Sequence, residues 1–169
     1  VSLGYVFDSV NDSQKAKEHC EKALTINREC GNRECEAQVY LGVGLLSQSF
    51  DEYDKAAYYL QKACSISSEI GHKMTDFQSL LHIAVLKISQ FEVVEALEYL
   101  FQGIEKYEQI RTLQKGNSGF EISLLEHRGT FLYKLLTHLL CDTGRFRDAL
   151  YVEELRRARV LAQIGRASC

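Results

Sequence analysis

The sequence predicts an all-α fold, a right-handed α-solenoid of antiparallel helix pairs, and three observations support this prediction. The 169 residues contain no proline, which otherwise interrupts helices and punctuates turns. Alanine and other small residues recur at a fixed spacing, which indicates a repeated helix pair. Glycines stand where helices of that repeat would end. The composition, 46% hydrophobic and 25% charged, is that of a folded protein rather than a disordered one.

Four alanines set the phase of the repeat. The first three are forty residues apart and the fourth follows after 53, and they are Ala16, Ala56, Ala96 and Ala149. A second position, seven residues further along, is small in the first three repeats, as Ala23, Ala63 and Gly103, and is Arg156 in the fourth. Residues spaced by four and seven share one helical face. Small residues at both ends of that face let a neighbouring helix approach closely.

This phase predicts eight helices in four pairs. The first helix of each pair carries a small residue twelve positions before the alanine, namely Gly4, Gly44, Ala84 and Thr137, and the second helix carries the alanine face. Gly31 and Gly71 end the second helices of the first two pairs. The longer last interval lengthens the helices around the Gly-Asn-Ser-Gly turn, near 107–128. The predicted helices are 1–10, 13–30, 33–49, 52–70, 73–90, 92–113, 119–142 and 145–163.

The domain organisation predicted from this pattern is a single array over residues 1–169. Its repeats are expected at about 1–31, 32–71, 72–118 and 119–165. The chain lacks an initiator Met, so the sequence is interpreted as a fragment of a longer array.

These residues resemble the tetratricopeptide repeat (TPR). The resemblance is clearest in Val43-Gly44, in Tyr53–Ala56 with Ala63, and in Gly144–Ala149. The forty-residue period is similar to that of Leu-Gly-Asn-type scaffold adaptors. The resemblance implies a protein–protein interaction scaffold that is not an enzyme and that binds a peptide or partner protein in the concave groove of the solenoid.

The C-terminal third also resembles the last repeat of large TPR proteins that carry a CHAT domain, a caspase-like peptidase fold. The similar segment runs from Gly144 to Ala162, and it departs from that pattern at Arg156, where those proteins usually have Gly. The alternative function is therefore a regulatory TPR segment of a larger protein with a C-terminal CHAT domain. A third possibility is a peptide-sensing arm of a regulator.

The repeat phase also predicts which side chains face the groove, because the first helix of each pair lines the concave surface of a TPR array. This set is amide-rich and partly apolar, and it comprises Tyr5, Gln38, Leu41, Leu45, Gln48, Gln78, Leu81, His82, Val85, Lys134 and His138. For Leu41, Leu45 and Leu81, packing between adjacent repeats is an equally good interpretation.

The sequence offers no convincing catalytic, cofactor or metal site. His138 and Cys141 are three residues apart on one helix, but packing explains them better than catalysis. The five histidines do not cluster with carboxylates at ligand spacing, and no glycine-rich phosphate loop is present. None of the six cysteines forms a CxxC pair, so we expect reduced, buried thiols and a cytoplasmic location.

The charge pattern argues against a nucleic-acid partner, and the basic residues concentrate in the C-terminal helix. The net charge is −3, and no apolar stretch approaches the length of a membrane span. The arginines at the C-terminal end are interpreted first as a solvated helix face. An intramolecular contact with a following domain is the alternative, through Arg145, Arg147, Arg156, Arg157 and Arg159.

Overall fold

Six helices follow one another from residue 31 onward in the computed structural model, which describes residues 18–19, 22–26, 29, 31–113 and 120–167. They are α1 (Arg33–Ser49), α2 (Tyr53–Glu69), α3 (Lys73–Ser89), α4 (Val93–Leu113), α5 (Phe120–Asp142) and α6 (Phe146–Ala167). The two helices predicted before residue 31 lie largely outside the described residues, although 22–26 are helical.

The predicted helix bounds agree with the structure to within one residue, with one exception. The last helix was expected to end at 163, and this is wrong because α6 continues to Ala167. One helical glycine costs only about 1 kcal/mol relative to Ala, so Gly165 does not stop the helix. The predicted lengthening around the Gly-Asn-Ser-Gly turn is confirmed, since α4 has 21 residues and α5 has 23, against 17 in each of α1, α2 and α3.

The chain divides into two compact units, Val1–Tyr99 and Leu100–Cys169. In the first unit, α1 packs on α2, α2 packs on α3, and α1 also contacts α3. The repeat alanines of α2, Ala56 and Ala63, have no exposed surface. On α1, a Cβ atom at Gly44 would lie only 2.8 Å from the side chain of Leu60. The small residues that set the repeat phase therefore lie where helices approach most closely.

Polar contacts join three helix ends of the first unit. The Arg33 guanidinium at the start of α1 pairs with Glu69 at the end of α2, at 2.7 Å. Glu34 lies 3.2 Å from Nε2 of His72. Nδ1 of His72 accepts a hydrogen bond from the backbone N–H of Thr75 and so caps α3. The contact between Glu34 and His72 thus joins the starts of α1 and α3, and the contact between Arg33 and Glu69 joins α1 to α2.

In the second unit, α5 packs on α6 and also receives the last turns of α4. Gly103 of α4 faces Leu132 of α5, and a Cβ atom there would lie 3.3 Å from the leucine. Gly129 of α5 leaves room for the buried ring of Tyr107, which also makes an edge-to-face contact with Tyr133. Two glycines, one from each helix, thus allow the α4–α5 contact.

Carboxylates on both helices accept hydrogen bonds from the two tyrosines and from Arg111 at the α4–α5 contact, although Nη2 of Arg111 is buried without a partner. The Tyr107 hydroxyl donates to Glu126, whose other oxygen accepts from Nε of Arg111 at 3.1 Å. The hydroxyl of Tyr133 donates to Glu108 at 2.9 Å. Burial and the hydrogen bond to Glu126 raise the pKa of Tyr107 far above its usual range, so the phenol stays protonated and remains a donor.

The turns between helices use left-handed backbone conformations. Gly31 and Gly71 have φ of 66° and 71°, which confirms their predicted role as helix-ending glycines. Gly144, between α5 and α6, has φ of 74°. The equivalent residues after α1 and α3 are Asp51 and Phe91, with φ of 58° and 62°. The repeat thus demands the left-handed turn at this position even where no glycine is present.

The cysteines only partly match their prediction. Cys35, Cys64 and Cys141 are free cysteines, and the Cys64 thiol donates a hydrogen bond to Asp76 at 3.4 Å. Cys35 and Cys64 are half-buried, but Cys141 is exposed, so the expected burial is wrong for Cys141. The reason is its register, because it lies near the end of α5 on the side that faces away from the core. Cys20, Cys30 and Cys169 lie outside the described residues.

Candidate functional site

The predicted groove residues on α1 and α3 occupy matching registers. Gln38, Leu41 and Leu45 on α1 are each forty residues before their equivalents on α3, which are Gln78, Leu81 and Val85. Spacings of three, four and seven place each trio on one side of its helix. Because α1 and α3 are in contact, their two faces adjoin within the first unit. We name this surface, together with Gln48 and His82, the α1/α3 face.

Burial divides the α1/α3 face into a floor and an accessible layer. Leu41 and Leu81 are each only 4% exposed, so they form the apolar floor and belong to the core. The accessible layer is half-buried and consists of Gln38, Leu45, Gln48, Gln78, His82 and Val85. Leu45 packs at its inner side against the core cluster. This arrangement offers three primary amides beside aliphatic surface.

Primary amides next to apolar side chains suit the recognition of a polypeptide. Each Gln side chain carries two N–H donors and one carbonyl acceptor, and a peptide backbone has both complementary groups. Half-buried side chains have already lost part of their rotamer freedom, which lowers the entropic cost of binding. The α1/α3 face can therefore hydrogen-bond a main chain while Leu45 and Val85 contact apolar side chains.

The groove residues predicted on α5 lie in the second unit and are more exposed. Lys134 and His138 have the registers of the Leu41/Leu81 and Leu45/Val85 positions, and both are exposed rather than half-buried. Sequence reasoning missed Phe131, which is 49% exposed on the same side of α5. The signal was present, because Phe131 follows Gln78 by the same 53 residues that separate the last two repeat alanines. Tyr5, the first predicted groove residue, lies outside the described residues.

The arginines of the C-terminal helix make ion pairs within that helix and its preceding turn. Arg145 lies 2.7 Å from Asp148, and its guanidinium is 5.9 Å from the ring centre of Phe101. Arg156 makes two hydrogen bonds to Glu153, at 2.8 and 2.6 Å, and Arg157 adds a third at 3.3 Å. The hydrogen bonds from Arg156 hold the pKa of Glu153 below its usual range. Arg147 is exposed, and the side chain of Arg159 lies outside the description.

Metal-ligating side chains do not cluster at the α1/α3 face or beside the C-terminal arginines in the described residues. Across the described part of the chain, no group of three or more His, Cys, Asp or Glu side chains could hold a metal ion. His138 and Cys141, the Cys/His pair noted in the sequence, are both exposed on α5. None of the helices in the described ranges combines the length and hydrophobicity needed to cross a membrane.

Comparison with known proteins identifies the fold. The tetratricopeptide-repeat family model matches residues 1–30, and no curated protein sequence matches the chain. The crystal structure of BtubC (BKLC) from P. vanneervenii superimposes with a TM-score of 0.77 at 17% identity, covering 96% of this chain and 62% of BtubC. The chain therefore spans less than two thirds of the length of that protein.

Two further solved structures have the same fold. Both are of a Podosopora anserina putative kinesin light chain with nearly identical TPR-like repeats, and both give a TM-score of 0.52 at 15% identity. One of them, a form with a single substitution, is matched over 98% of this chain and 94% of its own, and the other over 93% and 91%.

The fold is thus that of a TPR-like α-solenoid built from antiparallel helix pairs, as the sequence predicts. The predicted resemblance to the tetratricopeptide repeat is confirmed. The division into four repeats, the narrower resemblance to CHAT-bearing proteins and the role of the C-terminal arginines stay predictions.

Proposed function

We propose that this protein is a non-catalytic interaction scaffold that binds a peptide or a peptide-like segment of a partner protein on the α1/α3 face. The observation that supports this proposal most directly is the repeated register. Two adjoining helices present Gln38 and Gln78 at one level and Leu45 and Val85 at the next. A ligand with an extended backbone meets the same chemistry twice along its length.

The fold supports the same proposal. TPR-like arrays stack helix pairs so that the first helices of successive pairs form one continuous surface, and such surfaces generally bind proteins. BtubC and the putative kinesin light chain share this architecture. We extend only the general role to this chain, which is to hold a partner rather than to transform it. A cytoplasmic location is part of the same proposal, since none of the six cysteines belongs to a CxxC pair.

On the α1/α3 face, the amides and the apolar side chains should contribute differently to the binding free energy. A neutral hydrogen bond contributes about 0.5–1.5 kcal/mol net, so two amides together change affinity by roughly fivefold to 150-fold. Apolar anchors seated beside Leu45 and Val85 would supply most of the remaining binding free energy. Amide substitutions should therefore weaken binding without unfolding the scaffold, since their side chains are only half-buried.

The experiment starts with affinity capture by the purified chain, followed by binding of fragments of each captured protein in titration calorimetry. The test variant is Gln48→Ala with Gln78→Ala, which should lower the affinity for the fragment at least about fivefold and leave thermal unfolding nearly unchanged. The matched control is Gln61→Ala with Gln102→Ala, which removes two exposed amides from α2 and α4.

A contrasting variant tests the basic end. Replacing Arg145 and Arg147 with Glu should alter the same affinity less than the double Gln substitution does. If the arginine reversal abolishes binding and the loss of Gln48 and Gln78 has no effect, the α1/α3 face is not the binding site.

A further inference from the structure

The surface of α6 differs from those of α2 and α4 at two positions, of which the second faces the following helix in the case of α4. At one position, α2 and α4 have Leu60 and Leu100, both with no exposed surface, whereas α6 has Glu153. Three residues later, α2 and α4 have Ala63 and Gly103, whereas α6 has Arg156. Both substitutions on α6 replace an apolar or small residue by a charged one.

The α4–α5 contact shows what these positions do. Gly103 faces Leu132, and even a single added carbon at Gly103 would lie 3.3 Å from that leucine. An arginine at this position leaves no room for a helix at the distance that α5 adopts. The small residue is thus a geometric condition for docking the next helix pair.

In α6, the two charged residues pair with each other. Arg156 donates to both oxygens of Glu153, and the side chains of Arg156 and Glu153 are 22% and 23% exposed. An apolar helix placed over this pair would remove it from water and give it no new partner. The desolvation cost of a buried ion pair offsets its attraction unless further hydrogen bonds are made.

We propose that the Glu153–Arg156 pair closes the stack, so that no further helix pair docks on α6 in the way that α5 docks on α4. The pair acts by bulk, because Arg156 occupies the position of Gly103, and by charge, because the hydrogen bonds of Arg156 keep the Glu153 carboxylate beside that position. The property belongs to the α6 surface and applies to any helix pair brought to it, whether on the same chain or on another.

The charged pair does not arise from a general lack of apolar residues on α6. Leu150 has the register of Leu97, which is 7% exposed, yet Leu150 itself is 62% exposed. Phe146 is likewise 67% exposed. The apolar part of a docking surface is therefore retained, and the ion pair beside it decides whether another repeat can use that surface.

The test appends a second helix pair to the full chain. A copy of residues 114–167 is appended after Arg166. Arg166 follows Ala149 by the same 17 residues that separate Leu113 from Ala96. The copy therefore follows α6 at the same repeat position at which residues 114–167 follow α4. The chain contains no Trp, so Phe131→Trp in the copy alone reports the unfolding of the copy by fluorescence. Circular dichroism follows the whole chain through the same urea titration.

The reporter chain is compared in two backgrounds. In the native background, the copy should unfold at a lower urea concentration than the rest of the chain. In a Glu153→Leu/Arg156→Gly background, its midpoint should rise and merge with the main transition, because coupled repeats unfold together. The control Arg147→Gly/Glu154→Leu places the same residue types on an exposed part of α6, and should leave the midpoint of the copy unchanged.

Two results would overturn the proposal. One is a copy that already unfolds with the main transition in the native background. The other is a midpoint that does not rise when the pair is replaced. The variant Glu153→Leu/Arg156→Gly is first made in the chain without the copy. If it lowers the helicity of that chain, the test uses Glu153→Leu/Arg156→Ala instead, which gives α6 the residues that α2 has at these positions. The same two results would then overturn the proposal.

Discussion

Replacing Gly129 with Ala should destabilise the protein, although alanine is the better helix former. A Cβ atom at this position of α5 would lie 2.2 Å from Cε2 and 2.4 Å from Cζ of Tyr107. These distances are far below van der Waals contact, and the tyrosine is a rigid ring with 2% exposure. The ring therefore has to move, and its hydroxyl moves away from Glu126.

The expected magnitude follows from three contributions. Overpacking a filled core costs about 1–3 kcal/mol, and loss of a hydrogen bond to a carboxylate costs about 1.5–3 kcal/mol. Exchanging Gly for Ala in a helix returns about 1 kcal/mol. The free energy of unfolding should thus fall by about 3 kcal/mol, which corresponds to a Tm decrease of about 6–12 °C for a domain of this size.

Urea unfolding followed by circular dichroism measures this loss, and two controls make it specific. Gly103→Ala places its Cβ 3.3 Å from the flexible end of Leu132, so it should change stability by less than about 1 kcal/mol. In a Tyr107→Leu background, Gly129→Ala should be neutral or slightly stabilising, because the ring it displaces is absent. A loss of similar size in both backgrounds would refute the reasoning.

Two further predictions concern the repeat contacts and the α6 ion pair. Ala56→Leu should lower the free energy of unfolding by about 1–3 kcal/mol through overpacking, because Ala56 is fully buried; unchanged thermal unfolding would contradict the repeat phase. Glu153→Gln should cost up to about 1 kcal/mol at neutral pH, measured by urea unfolding. Because the pKa of Glu153 is lowered in the folded protein, its stabilisation is present above the unfolded-state pKa and is lost as the pH falls through the folded-state value. The difference between Glu153→Gln and the native chain should therefore vanish in acid, and a difference that persists there would show that the effect is not electrostatic.

Helix positions could be predicted from the sequence because the repeat fixes them several times over. Ala56, Ala63 and Gly44 mark contacts between helices, and such contacts admit only small residues. The predicted bounds of α1 to α5 are therefore confirmed to within one residue. The predicted end of α6 at 163 is wrong, because a single glycine such as Gly165 is a weak stop signal inside a helix.

Side-chain exposure could be predicted less well, because it depends on what covers each helix face. The helical register predicts that Leu41 and Leu81 face a groove, whereas both side chains are buried. The sequence predicts a buried Cys141 and does not single out Phe131, yet both side chains are exposed on α5. A helical register gives the direction of a side chain, whereas its exposure is set by neighbours that are distant in sequence.

The left-handed turn between the two helices of a pair has a consequence for how these repeats diverge. The same backbone conformation is adopted by Asp51, Phe91 and Gly144, although a non-glycine residue there costs roughly 1–2 kcal/mol. Phe91 is 88% exposed, so its side chain recovers little of that cost through packing. Within this chain, the backbone conformation of the turn is thus kept while the residue that adopts it varies. Insertions and deletions at this turn should be rarer among related repeats than substitutions, and alignments of such repeats are better anchored on turn length than on glycine.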